Sequence, residues 1–480
     1  MTTAQPKVKG VRHRSPAERA ARGREARVRA PRSAQGRFDP GPSRPDPVSL
    51  LERQARTRVP ELVPIRYGRM LASPFAFFRG GALVMASDLA DTARSGLTAQ
   101  ICGDAHLSNF GVFASPERTL VFDVNDFDET LPGPWEWDVK RLAASVAIAG
   151  RDQGFSKKDC AAAAIEVGAS YRREMNRLAP MANLEVWYSK VDISGVMAGI
   201  EKEAKTTKSK STRTMAARGS RVLAKAMTHD SAQALGRLTE VVDGQRRIIS
   251  DPPLIVPVEE LLPGRESDEL TESLRQLLRR YRATLQTDRR HLLEEFELVQ
   301  VARKVVGVGS VGTRAWIALL SGRDGDDPLF LQAKEAEASV LEEFVGKSHF
   351  ANHGERVVAG QHVMQASSDI FLGWERAQGI DGVTRDFYLR QLRDWKGSFA
   401  LEGMVPAGLR RYSGVCAGAL ARAHARSGDR IAIASYLGTG TTFDRAIGEF
   451  ADAYADQNER DYDGFRKAVT SGRIVAETGL

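Results

Sequence analysis

From Gly133 to Tyr171 apolar residues recur at three- and four-residue steps, first over WEWDVKRLAASVAIAGR and, after a Gly/Ser break, over KKDCAAAAIEVGASYRREM. That period lines one face of a helix, so two helices are predicted. Order is expected to begin near Pro47, where helical spacing leads into a strand-like aromatic cluster at Phe75, Phe77 and Phe78. Residues 190–290 are more polar and basic. EKEAKTTKSKSTRTMAARGSR, a DPPLIVP strand or turn and a long amphipathic helix through Arg279 read as an inserted helical subdomain. The texture changes at Phe296, where a β-branched segment, a Gly-rich turn, a second apolar segment, a Gly/Asp turn, a short strand and a helix are predicted in turn. SDIFLGWERAQGIDGVTRDFYLRQL then reads as a hairpin. GVCAGALARAHARSGD and FDRAIGEFADAYADQNERDYDGF close the chain as amphipathic helices.

Composition changes this picture at the N-terminus. The 480 residues carry a net charge of +8, yet residues 1–45 alone hold twelve Lys and Arg against three acids, so the rest is nearly neutral. With Phe38 as its only aromatic, that stretch is expected to be a disordered basic tail, able to solubilise the protein or to touch nucleic acid through counterion release. Cys102, Cys160 and Cys416 lie far apart without a CxxC pair, which argues against a disulfide framework or a structural zinc site and for a cytoplasmic protein. No apolar run reaches the roughly 18 to 20 residues that span a bilayer, so no membrane partner is expected.

The densest candidate chemistry is CGDAHLSNFG at 102–111 followed by LVFDVNDFDE at 120–129. Asp104 and Asn109 stand in D-x-x-x-x-N, a spacing that in phosphoryl transfer offers a carboxylate to an acceptor hydroxyl and an amide oxygen to Mg²⁺. The bland alternative is a pair of Asx turns. A second metal-binding carboxylate is drawn from Asp126, Asp123 or Asp128. His106 either contacts substrate or braces the loop. A second cluster, Gly307, Gly309 and Gly312 in G-x-G-x-x-G, fits a dinucleotide turn or a kinase glycine loop. Lys334, at the end of an apolar strand before a Glu-rich segment, favours the kinase reading, although it could snorkel from a sheet edge. Glu342, or failing it Glu355, is the expected partner of that lysine. Arg66, Arg69 and Arg79 are phosphate contacts or ordinary ion-pair partners, and His424 is expected to pack within its helix.

GDAHLSN resembles the GDxHxxN catalytic loop of aminoglycoside phosphotransferases and related small-molecule kinases. NDFDE resembles their metal-binding strand end, and GPWEWDVKRLA their helix start, where Asp138 would brace the loop. The usual histidine two positions before the catalytic aspartate is Cys102 here, a departure that touches scaffolding. Over most of residues 50–475 the chain also resembles the bacterial DUF2252 proteins of the kinase-like superfamily.

The resemblance implies an α+β, two-lobed protein-kinase-like fold, with ATP and Mg²⁺ between the lobes and a small molecule or protein as phosphate acceptor. Catalysis would fall to Asp104 and His106, nucleotide binding to Gly307, Gly309, Gly312, Lys334 and Glu342, and metal binding to Asn109, Asp126 and Asp123. The glycine turn and lysine follow the catalytic loop by about two hundred residues, whereas ordinary kinases have the reverse order. Read cyclically the segments fall into place, so a circular permutation is expected. The divisions are a tail at 1–45, a helical-lobe part at 46–189, a helical insertion at 190–295, a small nucleotide-binding β lobe at 296–392, and closing helices at 393–480 after a linker at Arg393 to Ser398. An AMP-transferring enzyme, a catalytically silent nucleotide-binding regulator and a nucleic-acid-associated scaffold are the alternatives.

Overall fold

A computed structural model describes residues 13–479 apart from 194, 196, 200, 201, 203–209, 229, 230, 265, 266, 306 and 393. Part of the basic tail, part of the insertion and the first residue of the expected linker, Arg393, thus lie outside the described residues.

The molecule is mixed α+β with several small sheets. Its largest core surrounds α6 (Trp135–Asp152), which packs between α7 (Lys157–Leu178), α11 (Pro406–Ser427) and α13 (Thr442–Thr470). Trp135 stacks on Tyr171 at 5.2 Å and meets Tyr436 and Phe443, so rings from four helices share one cluster. The two helices predicted after Gly133 are present. Those predicted at the C-terminus are α11 and α13, joined by the short α12 (Arg430–Leu437).

The basic tail departs from expectation. Ser15 and Glu18 form a capping box with Pro16 at the first helical position, which starts α1 (Pro16–Arg29). The arginines serve as local contacts. Arg19 bonds Asp429 at 2.7 Å, while Arg27 and Arg32 donate to the carbonyls of Tyr436 and Leu437 at the C-terminal end of α12. Phe38 packs against Phe450 and Tyr454, and Arg44 bonds both Asp88 and Asp461 at 2.6 Å. Composition misled because charge repulsion in a tail and charge pairing on a helix surface have the same residue count. Arg44 is largely buried with both partners. Arg44→Met therefore leaves two buried carboxylates uncompensated, and we expect a loss of about 3 kcal/mol, read as a lower urea midpoint.

The aromatic cluster also departs from expectation. Residues 47–90 form α2 (Pro47–Ala55), α3 (Val63–Met70), α4 (Pro74–Gly80) and α5 (Ala82–Ala90), with Phe77 and Phe78 buried on α4. Ser73 caps α4 by accepting from Ala76 N, and Pro74 occupies its first turn. Local start signals outweigh the strand preference of aromatic residues.

Two strand pairs border the helical body, the first against α6 and the second against α11. β1 (Thr98–Ile101) pairs with β4 (Leu131–Pro134); β2 (Phe110–Ala114) pairs with β3 (Leu120–Val124), which also meets β5 (Val191–Asp192). A short hairpin follows, β6 (Thr239–Val242) with β7 (Gln245–Ile248). The predicted β lobe is a six-stranded antiparallel sheet. β9 (Glu297–Lys304), β10 (Ala315–Ser321), β11 (Pro328–Ala336), β12 (Gly373–Gln378) and β13 (Thr384–Gln391) lie in the order β12-β13-β11-β10-β9. The outer strand beside β9 is β8 (Ile255–Pro257), so the expected helical insertion contributes an edge of this sheet. α8 (Ser231–Leu238) covers one sheet face through Ala234, Leu235 and Leu238; α9 (Ser267–Arg282) sends Tyr281 to the other. The Glu-rich segment after β11 makes only one turn at Glu342–Val345, and the full helix is α10 (His353–Met364). Gly397 in the linker exchanges backbone hydrogen bonds with Val112 of β2, tying the sheet to the helical body. Among the described residues no helix is long and apolar enough to cross a membrane.

Candidate active site

The loop between β1 and β2 is held from below. Gly103 adopts φ +79°, and a Cβ there would lie 2.5 Å from the carbonyl oxygen of Glu129, so only glycine fits. Asp138, in the first turn of α6, accepts from the backbone N–H of Cys102 at 2.8 Å and of Gly103 at 3.0 Å. His424 of α11 lies 3.2 Å from the same carboxylate through Nε2, and its Nδ1 is 2.9 Å from the Tyr171 hydroxyl. Asp138 is thus placed as a brace, and His424, fully buried, is a part of that brace as well as a core side chain.

Above the brace, Asp104 Oδ1 accepts from Arg141 Nε at 2.6 Å, while Oδ2 lies 3.8 Å from His106 Nε2. Burial pushes the His106 imidazole down to about 4, so the ring is neutral near pH 7, and its buried Nδ1 makes no hydrogen bond among the described residues. Asn109 donates through Nδ2 to the carbonyls of Asp104 (3.0 Å) and Asp126 (3.2 Å), which joins the two acidic segments and leaves Oδ1 as an acceptor.

Beyond β3 the chain stays extended. Phe127 is buried in the core, and Asp126 and Asp128 on either side of it project into the cleft, as alternation requires. There they meet Lys334 of β11, whose ammonium is 2.7 Å from Asp128 Oδ2 and 3.4 Å from Asp126 Oδ2. Asp128 also accepts from the Tyr388 hydroxyl at 2.7 Å and from Ser310 Oγ at 3.2 Å. Asp126 and Asp128 together hold Lys334 above its ordinary pKa, while Lys334 and the Tyr388 hydroxyl hold Asp128 well below the usual carboxylate range. Burial and the neighbouring Asp128 instead raise Asp126.

The glycine segment links β9 to β10 through a single 3-10 turn, Val308–Ser310. Gly307 and Gly309 line the cleft. Gly312, at φ +88°, lies behind it with its carbonyl accepting from Val59 N at 2.8 Å. Arg58 donates to the carbonyls of Gly309 and Val311 and so fixes the turn. The cleft is about 370 Å³ and also exposes Asp104, His106, Asn109 and Arg390. That is within the range of small-molecule sites.

Two expected site residues are elsewhere. Asp123 does not line the cleft. It accepts from its neighbour Val124 N, feels the charges of Arg426 and Arg422 on α11, and is pushed up to about 6 by burial. Glu342 lies 3.9 Å from His353, because the chain after β11 turns away before the helix begins; the aspartates are the lysine's partners. Arg141, Tyr388, Ser310 and Arg58 were missed from sequence, and so were two arginines that hold backbone. Arg356 of α10 donates to the carbonyls of Thr130, Asp128 and Glu337, and Arg390 of β13 to that of Asn125 at 3.0 Å. Both bind backbone, and no sequence motif marks that use.

No group of three His, Cys, Asp or Glu side chains among the described residues is placed to hold a metal by itself. Asp126 and Asn109 line the cleft beside the carboxylates of Asp104, Asp128 and Glu129, and a carboxylate with an amide oxygen is a donor set suited to Mg²⁺, which also takes phosphate oxygens and waters. No curated protein and no solved structure matches the chain. A family model described as an uncharacterized protein conserved in bacteria matches residues 58–468, and the chain belongs to that family, DUF2252.

Proposed function

We propose that the protein is a cytoplasmic, ATP- and Mg²⁺-dependent phosphotransferase acting on a hydroxyl of a small molecule or protein, with a kinase-like architecture in circularly permuted order. The observation that carries this reading is the contact of Lys334 with Asp126 and Asp128, more than 200 residues away, in a cleft that also exposes Asp104, Asn109 and the glycine turn. The order within the sheet supports the architecture: a glycine-turn hairpin, the lysine strand, a helix and a second hairpin.

In this reading Lys334 binds the α- and β-phosphates, and the turn at Gly307–Ser310 covers them with backbone amides. Asn109 and Asp126 hold Mg²⁺, which when bound neutralises phosphate charge. Arg141 fixes one oxygen of Asp104, and the other orients the acceptor hydroxyl and takes its proton. Neutral His106 closes the acceptor side without adding charge. Asp104→Asn is expected to leave ATP·Mg²⁺ affinity within about threefold and to lower ATP turnover by about 10² to 10³. Unchanged turnover, or nucleotide binding lost together with turnover, contradicts this assignment.

A further inference from the structure

Two charge clusters divide the cleft. At one end Lys334 interacts with Asp126, Asp128, Tyr388 and Arg390. At the other, Arg79 feels Asp104 and Glu402, and its charge reaches His106. Arg79 enters the cleft from α4, with its own carbonyl against Gly309 of the glycine turn, and the carboxylate of the catalytic loop that its charge reaches is Asp104.

Arg79 occupies the last turn of α4, where a cation ordinarily serves the helix's own terminal carbonyls. Two of those are already taken by other arginines. Arg141 donates to the carbonyl of Phe78 at 3.0 Å and Arg66 to that of Gly80 at 2.9 Å. The Arg79 side chain lines the cleft, and its buried Nε makes no hydrogen bond among the described residues. Asp104 pairs with Arg141, and among the described residues no carboxylate lies within ion-pair distance of Arg79, so its largely buried guanidinium carries a charge that an arriving anion would offset. The side chain presents a planar fork suited to carboxylate or phosphate.

We infer that Arg79 binds an anionic group of the acceptor, and that the acceptor is therefore a hydroxylated carboxylate or phosphate ester rather than a neutral or cationic alcohol. This rests on the phosphotransferase reading for the word acceptor; the anion site itself rests on Arg79 alone. Arg79 and Asp104 line the same cleft, so a small hydroxy acid there would direct its hydroxyl to the aspartate and its anion to the arginine.

The test uses the full chain with matched probes, glycerol against glycerate and glycerol 3-phosphate, titrated calorimetrically with and without saturating ADP·Mg²⁺. Both anionic probes are expected to bind at least about tenfold more tightly than glycerol. Arg79→Gln should erase that preference, Arg79→Lys should retain part of it, and ATP·Mg²⁺ affinity should stay within about threefold. Because Arg79→Gln removes an unpaired buried charge, its melting temperature should not fall, which separates loss of the site from loss of the fold. Equal binding of glycerol and the anions, or anion binding unchanged in Arg79→Gln, overturns the inference. Absence of ATP·Mg²⁺ binding in the unaltered protein overturns the phosphotransferase reading instead, and the nucleotide-free titration still decides the anion site.

Discussion

Lys334→Met costs about 3 kcal/mol of unfolding free energy and lowers ATP·Mg²⁺ affinity by more than about 10². The stability loss follows from geometry alone. The lysine side chain is 4% exposed and bonds two carboxylates that remain behind when it is removed. Asp126 and Asp128 keep some contact with water, at 37% and 29% exposure, so the cost lies at the low end for a broken buried pair. Adding Asp128→Asn to the variant removes part of the stranded charge and should restore about 1 kcal/mol, a coupling read from urea unfolding of the four members of the cycle. The affinity loss depends on the proposed role. A variant as unstable as expected that still binds nucleotide normally would keep the ion pair and discard the function.

Asp138→Ala has a similar effect on stability and a larger one on the loop. It leaves the N–H groups of Cys102 and Gly103 and the His424 ring without their acceptor, with Asp138 and His424 both almost wholly out of water. At about 1 to 3 kcal/mol for each buried group left unpaired, a total loss of about 4 kcal/mol is expected. Hydrogen exchange at the 102 and 103 amides should speed up together, and ATP turnover should fall at least as far as in Asp104→Asn. His424→Phe keeps both amide bonds, so its cost should be about half as large. If exchange at those amides is unchanged in Asp138→Ala, the brace does not hold the loop.

The helical period around α6, α7 and α13 was legible because burial on one face repeats along a contiguous segment. The five main strands of the β lobe were legible for the same reason, each being bounded by its own turn residues. The loop and its acids were legible because polar residues inside an apolar stretch are conspicuous. The partner of Lys334 was not: helix spacing suggests a nearby Glu342, whereas the fold delivers aspartates from a segment 206 residues earlier. The same limit hid the arginines of residues 16–44, whose partners are almost all more than 400 residues away. Arg356 and Arg390 leave no pattern at all, since any carbonyl can accept from a guanidinium. Asp123 misled by alternation: it stands on a strand whose opposite face is the one that leads to the cleft.

The measurement that bears most directly on the account is titration of Mn²⁺, in place of Mg²⁺, followed by its electron paramagnetic signal with and without ATP. Tight Mn²⁺ binding is expected only when ATP is present, lost in Asp126→Asn and weakened in Asn109→Ala. A spectrum in the presence of ATP identical to that of Mn²⁺·ATP without protein, or binding indifferent to both substitutions, would contradict this expectation.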